Sequence, residues 1–196
     1  MRVLSKTMAS LSGTMAAVTE RLGYAVTLSL TYYQPYMAVR KLSTLDHLTK
    51  GRIGWNIVTS AHVAEAVNLG LEKMVPHTER YERADEYMEV CHKLWNSWEP
   101  DAVVADKKTG VFVDVSKVHP INHKGKWFSC PGISAVEPSP QGHPVLFQAG
   151  ASDAGRDFCT KHAEALFGVQ LTTRALKSFA DDMRQRLKKI GRDSSS

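Results

Sequence analysis

Short apolar runs alternate along this chain with longer stretches whose apolar residues recur every three or four positions. Residues 24–30 (YAVTLSL), 52–58 (RIGWNIV), Val145–Gln148 (VLFQ) and 163–169 are the short runs. Such runs predict strands covered on both faces. Helical periods lie between them. Leu11, Met15, Val18 and Leu22 mark one over 11–22, stopped by Gly23. A second starts at Pro35, which suits a first helical turn, carries Leu42, Leu45 and Leu48, and leaves through Lys50 and Gly51.

Residues 61–76 give weaker signals, a short helix and a loop. A long helix over 79–98 follows, capped by Thr78, with Ala84, Tyr87, Met88, Cys91, Leu94, Trp95 and Trp98 on its apolar stripe. Glu79 and Arg83 are spaced as an i,i+4 pair, and Asp85, Glu86 and Glu89 read as a solvated face. Residues 152–161 predict another helix. Thr172 or Thr173 caps the last one, with Leu176, Phe179, Met183, Leu187 and Ile190 inward. Residues 100–144 break the alternation. Val111, Val113 and Val115 suggest a small hairpin, an extended arm runs to 137, and Pro138, Pro140, Gly142 and Pro144 punctuate the end, so this is an excursion within a single domain over 1–196.

Helices and strands in strict alternation predict a parallel sheet, either doubly wound or part of a (β/α)8 barrel. Four strands in 196 residues are too few for a complete barrel, which needs eight and typically ~250 residues.

Composition narrows the classes. The net charge of +5 comes largely from the last helix, where apolar residues at regular spacing separate the basic ones. That is a solvated helix face and not a nucleic-acid arm. Three widely spaced cysteines argue against a disulfide framework, and no apolar run is long enough for a membrane span, so a cytoplasmic protein is expected.

Candidate chemistry collects at strand ends. Asn56, Thr59 and Ser60 are polar groups at the carboxyl end of a buried strand, where packing explains them poorly and a ligand explains them better. VLFQAGASDAG (145–155) is a strand, a glycine turn and a helix start. Gly150 would let an anion approach the backbone N–H groups, although a routine β-α turn capped by Ser152 reads equally well. His77 and Tyr81 lie i,i+4 across the start of the long helix and could present an imidazole and a phenol to the same ligand. His119 and His123 have H-x3-H spacing in a Pro/Gly/Lys loop with no evident carboxylate or cysteine partner, so no metal site is expected. Ala154 breaks the G-x-S-x-G pattern, and G-x-G-x-x-G does not occur.

Three blocks in order, RKLSTLDHLTKGRIGWNIVTS (40–60), ERYERADEYMEVCHKLWNSW (79–98) and SPQGHPVLFQAGASDAGRDFCTKHAEALF (139–167), resemble the reduced-flavin-dependent monooxygenases of the bacterial luciferase-like superfamily. The nearer branch holds the nitrilotriacetate, dibenzothiophene sulfone and long-chain alkane monooxygenases. The resemblance implies a partial (β/α)8 barrel of about the third to sixth βα units, binding FMN at the carboxyl ends of its strands. Matched motif by motif, Thr27, His77, Tyr81 and Ser152 fall on family flavin-binding positions. Asn56, Ser60, Gly150 and Ala151 are neighbours in the same pocket. The resemblance also implies FMNH2 supplied by a separate NAD(P)H-dependent flavin reductase, O2 and a small organic substrate as reactants, and a homo-oligomer in full-length relatives. It assigns no acid–base residue; the histidine that some members carry after the Thr-Ser pair is Ala61 here. The alternative is a catalytically inactive half barrel that serves as an interaction protein.

Overall fold

The structure is a computed structural model and describes residues 8–60 and 63–192. Ala61 lies outside them. Parallel strands β1 (Tyr24–Ser29), β2 (Ile53–Val58), β7 (Val145–Gln148) and β8 (Ala165–Leu166) form one sheet in the order β1-β2-β7-β8. Helices α1 (Met8–Ala17), α2 (Pro35–Thr49), α3 (Val63–Asn68), α4 (His77–Trp95), α5 (Asp153–His162) and α6 (Thr173–Lys189) accompany the strands. This is the repeating β-α pattern of a barrel segment. Between α4 and β7 lie two small antiparallel pairs, β3 (Val103–Asp106) with β4 (Val111–Val113) and β5 (His123–Lys124) with β6 (Ser129–Cys130). Val115, assigned from its alternation to the first hairpin, falls instead in a 3-10 turn.

The core lies between the sheet and α2 and α4. Trp55 is fully buried against Tyr87 and Trp95, and its indole Nε1 donates to the Leu28 carbonyl at 3.1 Å. Asp46 on α2 holds the turn before β7: its carboxylate accepts from Gln141 N at 3.0 Å and Gln141 Nε2 at 2.5 Å. That Gln141 amide also donates to Ile53 O, which fastens the entry of β7 to the start of β2.

Several expectations change at the ends of the sheet. α1 stops at Ala17 and turns its small residues inward: Ala9, Ser12 and Ala16 are buried while Leu11, Met15, Val18 and Leu22 are exposed. Small side chains let α1 approach α2 closely, with Gly13 against Leu45. β8 has two residues instead of seven, and Phe167, Val169 and Leu171 run on exposed because β8 pairs on one side only. On α6 Phe179 and Met183 are buried, whereas Leu176 and Ile190 are exposed, as is Leu48 on α2. α4 begins one residue before Thr78, with Pro76 at the cap, so Thr78 lies inside the first turn. Among the described residues no helix is long and apolar enough to cross a membrane.

Candidate functional site

Side chains alternate along a strand, and parallel strands in register align the alternation across the sheet. Val26, Trp55 and Leu146 make one cross-strand row facing the helices, and Thr27, Asn56 and Phe147 make the next row on the opposite face. Asn56 Nδ2 donates to Thr27 Oγ1 at 3.0 Å, which ties the two strands by their polar residues. Beyond this row the strand tips open into a cleft of about 440 Å³ lined by Thr27, Thr59, Ser60, His77, Tyr81 and Gln148, among others.

Local chemistry fixes each wall. Ser60 takes a left-handed conformation (φ 47°) at the tip of β2, and its hydroxyl donates to Ser29 Oγ at 2.9 Å. Thr31 Oγ1 donates to Thr59 O at 2.7 Å, which joins the tips of β1 and β2. On the other wall Ser152 caps α5, its Oγ accepting from Gly155 N at 3.2 Å. Gly150 and Gly155 are required by close approach. A methyl group on Gly150 would stand 2.6 Å from the Gly155 carbonyl oxygen, and one on Gly155 would stand 2.8 Å from the Tyr81 hydroxyl. Tyr81 therefore points its phenol at the start of α5. Phe158, edge-on at 5.8 Å, and His77, at 5.0 Å, brace its ring. His77 Nε2 lies 3.4 Å from Ser152 Oγ.

The structure thus brings together Thr27, Asn56, Ser60, His77 and Tyr81 with the Gly150–Ala151–Ser152 turn, from four separate stretches of sequence. Two carboxamide oxygens at this site, Asn56 Oδ1 and Gln148 Oε1, are buried without a protein partner. Buried polar atoms are normally paired, so these are free to accept from a ligand. Gln148 and Arg80 are site residues that the sequence reading did not single out. The signal for Gln148 is a lone amide ending an apolar run. Arg80 sits between Glu79 and Tyr81 in PHTERY, yet it is 7% exposed, and its Nη1 donates to the Ser60 carbonyl.

The carboxylates of α4 are not a solvated face. Glu86 accepts from Phe128 N at 2.8 Å, Trp127 N at 3.0 Å and His123 Nε2 at 3.2 Å. Burial alone would raise the Glu86 carboxyl, but the hydrogen bonds from His123 and from the Phe128 and Trp127 amides outweigh it and hold its pKa below the ordinary value. Asp85 pairs with Lys161 and His162, both at 2.9 Å, which outweigh its burial in the same way. Arg83 turns from Glu79 to the Thr31 carbonyl at 2.7 Å. His119 and His123 do have carboxylate partners, but different ones, Glu99 and Glu86. Among the described residues no cluster of three or more His, Cys, Asp or Glu could hold a metal ion.

Residues 5–196 match the family model of luciferase-like monooxygenases. The dimethyl-sulfide monooxygenase of Hyphomicrobium sulfonivorans is 52% identical over 183 residues, which cover 93% of this chain and 38% of that protein. The crystal structure of a long-chain alkane monooxygenase superposes with a TM-score of 0.94 at 50% identity, covering 97% of this chain and 44% of that one. A riboflavin lyase solved with modified FMN and riboflavin superposes with a TM-score of 0.92 at 40% identity, over 97% of this chain and 42% of that one. The chain spans about two fifths of the length of the curated relatives it matches. It belongs to the luciferase-like monooxygenase family, and its four parallel βα units are part of that family's (β/α)8 barrel.

Proposed function

We propose that this chain carries the flavin cleft of a two-component, FMNH2-dependent monooxygenase that inserts one oxygen atom from O2 into a small organic substrate. The observation that carries the reading is the convergence of Thr27, His77, Tyr81 and Ser152 on one cleft at the carboxyl ends of parallel strands. The start of α5, with the Ser152 and Tyr81 hydroxyls and the His77 imidazole, would hold the phosphate. Backbone N–H groups and the helix dipole favour an anion there. Gly150 and Ala151 would let the cofactor lie close to the backbone. Thr27, Asn56 and Ser60 at the strand tips would hold the isoalloxazine, with Asn56 Oδ1 and Gln148 Oε1 available to its N–H groups.

When bound, reduced FMN supplies the electron pair that activates O2. The residues of this chain bind and orient the ring and keep water from it. None of them is assigned a proton transfer. A separate NAD(P)H-dependent flavin reductase is the proposed source of FMNH2.

β1 and β8 are edge strands of the described sheet, and the chain is shorter than its relatives. The polypeptide alone is therefore expected to bind FMN more weakly than micromolar and to turn over little. The same open edges favour a second reading, a non-catalytic half barrel that serves as an interaction protein. Titration of the ¹⁵N-labelled chain with FMN tests the site: the Thr27, Ser60, Tyr81 and Ser152 amides should shift together, and shifts confined to other residues would overturn it. Substrate oxidation by the chain supplied with FMNH2 and O2 separates the two readings.

A further inference from the structure

Three charged residues stand three apart on α4, Arg80, Arg83 and Glu86, and so line one side of the helix. Each grips a different segment. Arg80 Nη1 donates to the Ser60 carbonyl at the tip of β2. Arg83 Nη1 donates to the Thr31 carbonyl just beyond β1 at 2.7 Å, and its guanidinium lies 5.1 Å from the centre of the Phe128 ring. Glu86 holds the backbone of Trp127 and Phe128 and the ring of His123, in the β5–β6 hairpin.

Neither arginine forms an ion pair with a carboxylate among the described residues. Both cations instead serve carbonyl groups at the mouth of the cleft, and hydrogen bonds from a charged donor are the strong ones. Ser60 is a non-glycine residue at φ 47°, a conformation that persists where its surroundings hold it. Its carbonyl is held by Arg80 and its hydroxyl by Ser29. The Ser29 hydroxyl in turn accepts from Thr31 N at 3.2 Å, and the Thr31 carbonyl is the one that Arg83 holds. A continuous path of hydrogen bonds therefore joins the two arginines through the two strand tips.

We propose that Arg80 and Arg83 are positioning residues of the cleft: they fix the tips of β2 and β1, and Arg83 ties that geometry through Phe128 to the β5–β6 hairpin. The inference rests on the flavin reading of the cleft and adds to it that flavin affinity depends on residues outside the predicted contact set. It further implies that a change in the hairpin is felt in the cleft.

The test uses the full ¹⁵N-labelled chain and the variants Arg80→Met, Arg80→Lys, Arg83→Met and Phe128→Leu, with amide spectra read before and during titration with FMN. Arg80→Met should move the Ser60 and Ser29 amides of the free chain and weaken FMN binding about tenfold. Arg80→Lys should recover most of that loss, since it restores a charged donor near the carbonyl. Phe128→Leu, remote from the cleft lining, should weaken binding about threefold and move the Thr31 amide. Met variants that keep a dispersed spectrum, unmoved Ser60 and Thr31 amides and wild-type affinity overturn the proposal. If a Met variant does not fold, Arg80→Lys and Phe128→Leu decide: wild-type affinity and unmoved amides in both overturn it. Should wild type show no FMN-dependent shift at all, the flavin reading fails. The clamp is then judged on the free-chain amides, which must move in the Arg80 and Arg83 variants for it to stand.

Discussion

The two faces of the four-stranded sheet come from alternate residues of the same strands and have opposite environments. Val26, Trp55 and Leu146 form a row under the helices, and none is more than 2% exposed. One residue further along, Thr27 is exposed and Asn56 and Phe147 are half-buried. The first row excludes water and stabilises the fold. The second row carries hydrogen-bonding groups toward an open cleft. Fold stability and ligand chemistry are thus separated by a single step along each strand, so substitutions in the two rows should have separable effects.

The largest effect is expected on the helix-facing row. Trp55→Ala removes the ring packed on Tyr87 and Trp95 and should cost about 3–5 kcal/mol, read as a lowered urea midpoint. A loss no larger than a surface substitution gives would break the comparison. Next comes the latch of the excursion. Glu86→Ala leaves the Trp127 and Phe128 N–H groups and His123 without their acceptor, and should cost about 2 kcal/mol with faster hydrogen exchange at the Phe128 amide.

The same latch has a pH signature. The folded Glu86 pKa is below its ordinary value of 4.5, so its contribution is complete above that value. It fades as the pH falls through about 4.5 and is gone below the lowered folded value. Glu86→Gln should flatten that part of the stability profile, and an unchanged acid limb would show that other carboxylates dominate it.

On the cleft-facing row the expected pattern reverses. Thr27→Val should change stability by no more than about 0.5 kcal/mol, because Thr27 is exposed, while weakening FMN binding about tenfold. Equal affinity in the variant would remove Thr27 from the site. The smallest effect belongs to the open end of the sheet. Leu171 is 98% exposed, so Leu171→Ser should leave the thermal midpoint within error and reduce self-association measured by light scattering.

Much of this arrangement is legible in the sequence because it rests on local periodicity. The strands at Tyr24–Ser29, Ile53–Val58 and Val145–Gln148 are short apolar runs, and α2, α4 and α5 follow their 3.6-residue pattern. The cap at Ser152 and the stop at Lys50 are likewise written in residue type. The misreadings share another cause. The large apolar residues of α1 and the tail of β8 look like core, but hydrophobicity does not say which face finds a neighbour. Glu86 and Asp85 look solvated because their partners, Trp127, Phe128 and His162, are more than 40 residues away in the chain. Arg80 and Gln148 escaped notice for the same reason.

The sequence by itself determined the parallel α/β alternation, the family and the residue types that reach the strand ends, because these depend on spacing along the chain and on matched motifs. Only the tertiary structure decided that Thr27, Asn56, Tyr81 and Ser152 share one cleft, that two arginines of α4 hold its strand tips, and that Glu86 anchors a distant hairpin. The physical reason is that burial and hydrogen-bond partnership are properties of neighbours in space, and a folded chain chooses those neighbours from segments far apart in sequence.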